Sequence, residues 1–133
     1  MTINNPEKFV AGLWDWGTLD GCFGDTKIMP TDLDGFVERN GKFLVLETKA
    51  PGVEVKRGQQ LTFERLVSTG VFTVVLVWGD TNKPCRVTVM TRQTTREYTA
   101  ADMGTLRWIV SSWFQWANRN FTPPPTYGEA TST

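Results

Sequence analysis

The chain has 133 residues, 40% hydrophobic and 21% charged. This predicts one compact domain, because two cores would each fall below the size at which most domains fold alone. Its 14 basic and 14 acidic side chains cancel, so bulk charge cannot hold it on nucleic acid or an anionic membrane, and any such partner must meet a local patch. Histidine is absent, which excludes Ser-His-Asp and Cys-His catalysis and His-ligated zinc and leaves carboxylates, lysine, tyrosine and cysteine for any chemistry.

At the amino end, Asn5 can cap a helix with Pro6 in its first position, and Phe9, Val10, Leu13 and Trp14 recur at helical spacing, which predicts a helix over about residues 6–16. Nothing in this segment resembles a basic n-region followed by an apolar stretch, and no run in the chain has the roughly 18 apolar residues of a membrane span, so a cytoplasmic protein without a membrane partner is expected. Gly17 to Pro30 reads as a long connection. Cys22 within it and Cys85 match neither zinc nor redox spacing, and both are expected to be small buried hydrophobes in a reducing compartment.

Leu33, Phe36 and Val37 lead into Arg39-Asn40-Gly41, and Lys42 to Lys49 leads out, which is a strong hairpin signal. Ala50-Pro51-Gly52 ends the second strand. Gly58 to Thr69 predicts a helix with Leu61, Leu66 and Val67 inward, stopped by Gly70. Val71 to Trp78 is an almost continuous β-branched run, as in a strand buried on both faces, and Arg86 to Thr91 alternates as a further strand. In a last helix Leu106, Ile109, Val110, Trp113 and Ala117 share a face, while Trp108, Phe114 and Trp116 spread apolar surface beyond it; for Trp108 and Trp116 this predicts a homodimer contact through that helix as readily as monomer core, and either ahead of a base-stacking surface. Trp14, Trp78 and Trp113 are expected in the core. Residues 121–133, rich in proline and small polar residues, read as a flexible tail after a single domain over 1–120. The order is α-β-β-α-β-β-α, an α/β fold with a mixed sheet flanked by helices.

Charge is uneven. Residues 1–36 carry six acids and two bases, whereas residues 83–133 carry six bases and three acids. This is either ordinary solvated surface or an acidic centre for cations beside a basic surface for phosphates.

Glu47 and Lys49 are two apart on the second hairpin strand and share a sheet face, and Asp34 begins the first strand. Charge in a strand otherwise built for burial is costly unless paired or bound to metal, so the alternatives are an edge-strand salt bridge and a site. Asp34 followed thirteen positions later by Glu47-Thr48-Lys49 resembles the PD-(D/E)xK nuclease superfamily, with spacing similar to that of archaeal Holliday-junction resolvases and related virus-type nucleases. The leading Pro30-Thr-Asp-Leu-Asp-Gly, the Asn-Gly hairpin, the Gly58-Gln59 helix and the buried strand after it extend the resemblance over about residues 6–90.

The resemblance implies a restriction-endonuclease-like fold and a metal-dependent DNA nuclease, from a virus or mobile element, acting in the cytoplasm of the host. It implies that Asp34, Glu47 and the Thr48 carbonyl bind Mg²⁺ or Mn²⁺, which such oxygen donors select. Lys49 would orient or deprotonate the attacking water and offset charge on phosphorus oxygens. Gln59 matches an accessory glutamine, with Gln60 as rival, and Glu7 matches an accessory helix carboxylate that supplies a further metal ligand. Asp32 competes with Asp34, because Thr31-Asp32-Leu33 separates Pro30 from Asp34. Lys56, Arg57 and Arg65 are either phosphate contacts or a solvated helix face. The expected partner is DNA, branched DNA first; the alternative is a catalytically silent nucleic-acid-binding module with the same fold.

Overall fold

The computed structural model describes residues 12–126. The chain divides into two compact units, one ending at Asp32 and one starting at Leu33.

In the first unit the Asp15 carboxylate accepts a hydrogen bond from the Gly17 N–H at 2.8 Å and starts a short 3-10 helix, Trp16–Leu19. Most of the helix expected over residues 6–16, with Glu7, Phe9 and Val10, lies outside the described residues. Its last part is not helical: Asp15 has extended backbone and its side chain takes up a local N–H, the competition that disfavours aspartate inside helices. Leu13 and Trp14 are exposed, so Trp14 is not a core residue.

The second unit is a five-stranded sheet with a helix on each face. Its elements are β1 (Gly35–Arg39), β2 (Lys42–Lys49), α1 (Arg57–Ser68), β3 (Phe72–Asp80), β4 (Lys83–Met90), β5 (Thr95–Tyr98) and α2 (Met103–Arg119). The spatial order is β1-β2-β3-β4-β5. β2 and β3 are parallel and the other neighbours antiparallel. The sheet is therefore mixed and the class α/β, as expected.

Asn40 and Gly41 both have positive φ, 52° and 77°, which the tight β1–β2 turn requires. The parallel β2–β3 pair needs a crossover, and α1 supplies it. Side chains alternate across the central strands: Val45, Val74, Leu76 and Trp78 pack with Phe63 and Val67 of α1, while Leu44, Val75, Val77 and Val87 pack with Ile109, Trp113 and Ala117 of α2. Thr73 to Trp78 is buried without interruption, as the apolar run predicted.

Several expectations fail for identifiable reasons. In α1 the inward face is set by Phe63, Leu66 and Val67, which leaves Leu61 exposed on the other side. β5 has the sequence Thr-Arg-Glu-Tyr, a short charged edge strand that gives almost no apolar alternation to read. Both cysteines are exposed; Cys85 sits beside the bulge between Trp78 and Gly79, with its thiol donating to the Trp78 carbonyl at 3.4 Å. The start of the expected tail is fastened: the Thr122 N–H donates to the Asn40 carbonyl at 2.9 Å, and the Lys42 ammonium donates to the Thr122 hydroxyl at 2.6 Å. On α2, Trp116 packs partly on the core, while Trp108 and Phe114 remain exposed. No helix among the described residues is long and apolar enough to cross a membrane.

Phe63 is 2% exposed and is the largest side chain that α1 inserts against the sheet. Phe63→Ala should cost about 3–5 kcal/mol of unfolding free energy in urea titration. A cost below about 1 kcal/mol would mean that α1 does not pack as described.

Candidate functional site

β2 outruns β1. The β1–β2 ladder starts at Gly35 opposite Leu46, so Glu47, Thr48 and Lys49 have no β1 partner, whereas on their other side they pair with Leu76, Val77 and Trp78 of β3. Asp34, the residue before β1, fills the gap with its side chain. Its Oδ2 accepts from the Thr48 N–H at 2.8 Å and the Thr48 hydroxyl at 3.0 Å, and its own N–H donates to Glu47 Oε1 at 3.3 Å. In an extended strand one residue's N–H and C=O point the same way, so the Thr48 carbonyl also faces the side on which β1 has ended.

Glu47 and Lys49 lie on the α1 face of β2, and Gln59 meets them from the first turn of α1. Its Oε1 accepts from Lys49 Nζ at 2.6 Å, and its Nε2 donates to Glu47 Oε2 at 3.2 Å. Gln60 instead donates to Glu64 along the helix at 3.1 Å. The structure thus brings Asp34, Glu47, Thr48, Lys49 and Gln59 into one hydrogen-bonded cluster. Asp34, rather than Asp32, carries the carboxylate bonded to Thr48. Glu7 lies outside the described residues. Lys56 and Arg57 are exposed where α1 begins, and Arg65 is exposed in its last turn.

Glu47 is only 6% exposed. Burial pushes its carboxyl above the ordinary carboxylate range, and the Asp34 charge adds to that rise. The hydrogen bond from the Asp34 N–H, the Lys49 charge and the Gln59 amide act in the opposite direction without cancelling it. Among the described residues the ion pair within 4 Å is Arg86–Glu97. The direct Glu47–Lys49 salt bridge therefore fails, because Gln59 stands between the two side chains.

The donor set suits a hard divalent cation: the Asp34 and Glu47 carboxylates and the Thr48 carbonyl are all oxygen, and among the described residues the buried Glu47 carboxyl has no Lys or Arg nitrogen within 4 Å. Among the described residues no group of three or more His, Cys, Asp or Glu side chains converges, so the set consists of two carboxylates and backbone. Sequence reasoning missed two features. The Thr48 hydroxyl holds Asp34 from the opposite pleat. Lys83 and Asn82 of the β3–β4 turn line a groove of about 530 Å³ that also reaches Thr48 and Lys49. Only the parallel register of β2 and β3 brings that turn near, so no local pattern could have shown it.

The raised Glu47 carboxyl gives a stability prediction. A group whose folded pKa lies above its unfolded value contributes stability fully at pH below the unfolded value, here 4.5, and loses that contribution as pH rises through the folded value. In chelator, Glu47→Gln should therefore melt above the wild type at pH 7, and the gain should shrink toward pH 4. A lower melting temperature at pH 7 would show that the charge stabilises the fold.

Comparison with known proteins found no matching family model, no matching curated protein and no matching solved structure.

Proposed function

We propose that this chain is a divalent-metal-dependent deoxyribonuclease with a restriction-endonuclease-like fold and a PD-(D/E)xK-type site. The observation that supports this best is the single side chain of Gln59 bonding both Lys49 and Glu47, with Asp34 thirteen residues earlier locked onto Thr48. A carboxylate and an ammonium held apart on one strand face by an amide are poised for different partners, whereas a structural pair would bond directly.

In this reading Asp34, Glu47 and the Thr48 carbonyl hold Mg²⁺ or Mn²⁺. When bound, the cation polarises a phosphate oxygen and a water, which lowers the barrier to hydrolysis. Gln59 occupies one ammonium proton of Lys49 and leaves two for the attacking water or the phosphate oxygens, where charge grows in the transition state. Thr48 fixes the Asp34 carboxylate through two bonds, so its free oxygen has a defined direction. The exposed Lys56 and Arg57 beside this cluster would hold the flanking phosphates without reading bases. Branched DNA is the first substrate to test.

Incubation of linear, circular, single-stranded and four-way-junction DNA with Mg²⁺, Mn²⁺, Ca²⁺ or chelator tests the reading. Cleavage should require Mg²⁺ or Mn²⁺ and should fail with Ca²⁺ alone. Lys49→Met should lower the single-turnover rate by about 10²- to 10⁴-fold while metal affinity persists, and Asp34→Asn should lose metal and cleavage together. Binding without cleavage of any substrate under any metal would favour the silent binding module.

A further inference from the structure

A cavity of about 490 Å³ opens on the α2 face of the sheet, between the β4–β5 hairpin and α2. Glu47 and Lys49 lie on the α1 face, so this cavity is separate from the candidate metal centre. Its volume falls within the range of about 300–1,000 Å³ typical of small-ligand pockets. Arg92, Arg96, Tyr98, Trp108, Ser112 and Trp113 define its chemistry.

The two arginines approach from the hairpin. Arg96 pairs across the ladder with Val89, whose side chain packs in the α2-side core, so Arg96 is directed to the same face. Arg92 is at the hairpin turn, which is held by the Thr91 N–H donating to the Thr94 carbonyl at 2.8 Å and the Thr94 N–H donating to the Thr91 hydroxyl at 3.1 Å. Arg86–Glu97 being the ion pair among the described residues, neither arginine has a carboxylate partner there. Two unpartnered guanidiniums at one cavity select an anion with several oxygens.

The opposite wall is aromatic. Trp108 is 60% exposed, and Tyr98 meets it edge-on with centroids 6.5 Å apart at 69°, which leaves an indole face open. Trp113 is 6% exposed, and its indole N–H has no acceptor among the described residues. A planar group joined to a phosphate satisfies both demands, the open indole face and the two guanidiniums.

We propose that this cavity binds one unpaired nucleotide of a nucleic-acid strand, with its base against Trp108 and its phosphate between Arg92 and Arg96. Arg92 and Arg96 at the cavity supply the local positive charge that a neutral chain needs to meet such a polyanion. The proposal does not depend on the metal centre, since it concerns binding alone.

The test is fluorescence-anisotropy titration of the full chain with labelled oligothymidylate in chelator, with thymidine monophosphate and blunt duplex as competitors. Oligothymidylate should bind, thymidine monophosphate should compete weakly, and blunt duplex should not compete. Trp108→Ala should weaken binding about 5- to 150-fold, the range expected for a lost base stack. Arg96→Ala and Arg92→Ala should each weaken it and flatten its salt dependence. All three side chains are exposed, and circular dichroism with unchanged melting would show that the variants fold. Wild-type affinity in Trp108→Ala and Arg96→Ala, or no binding by the wild type, would overturn the proposal. So would sedimentation showing that Trp108→Ala converts a dimer to a monomer with nucleotide affinity unchanged, because the indole would then serve an interface between copies. Binding is read without metal, so failure of the nuclease reading would appear as binding without cleavage and leave this result intact.

Discussion

Parallel pairing of β2 with β3 cannot be closed by a tight turn, so the chain must leave the sheet, cross as α1 and return. That constraint places the first turn of α1 over the carboxyl end of β2, and it is the reason Gln59 reaches Glu47 and Lys49 at all. On the other side β1, antiparallel to β2, stops at Gly35 and leaves three residues of β2 with one free edge. Asp34 caps that edge. The cluster is thus a product of two strand ends meeting one helix start, the kind of place where open α/β sheets bind ligands.

Glu47 is the costly member of the cluster. It occupies a position on β2 where Val45 and Leu44 are fully buried, yet it carries a carboxyl that burial drives toward the neutral form. The hydrogen bonds from Asp34 and Gln59 satisfy its oxygens, and among the described residues it has no direct counterion. A chain optimised for stability alone would place an apolar residue there, while the β1–β2 turn and the start of α2 carry residues that fit their local geometry. The Asp102–Thr105 capping box starts α2, and Asn40-Gly41 supplies the positive φ that its turn needs. A locally disfavoured residue in such surroundings points to function.

The strands and helices with strong periodicity were legible from sequence: the Asn-Gly hairpin, the doubly buried β3, the inward stripe of α2, and the shared face of Glu47 and Lys49. β5 was not, because a four-residue edge strand with two charges carries no core pattern. The exposure of Trp14 and of both cysteines was not, because residue type reports burial only on average. The docking of Thr122 on the β1–β2 turn depends on a contact between residues 82 positions apart, which no local window contains. At the site, the choice of Gln59 over Gln60 required the rotation of α1, and the cavity beside Trp108 required the packing of α2 on the β4–β5 hairpin.

In the proposed function a divalent cation compensates the Glu47 charge, and thermal unfolding with Mn²⁺ tests this most directly. A ligand specific for the native state, at about 100 times its dissociation constant, adds about 2.7 kcal/mol of stability. Titration of Mn²⁺ should raise the melting temperature of the wild type in a saturable way and leave that of Glu47→Gln nearly unchanged. Equal shifts in the two proteins, or no shift in the wild type, would contradict a metal centre built on Glu47.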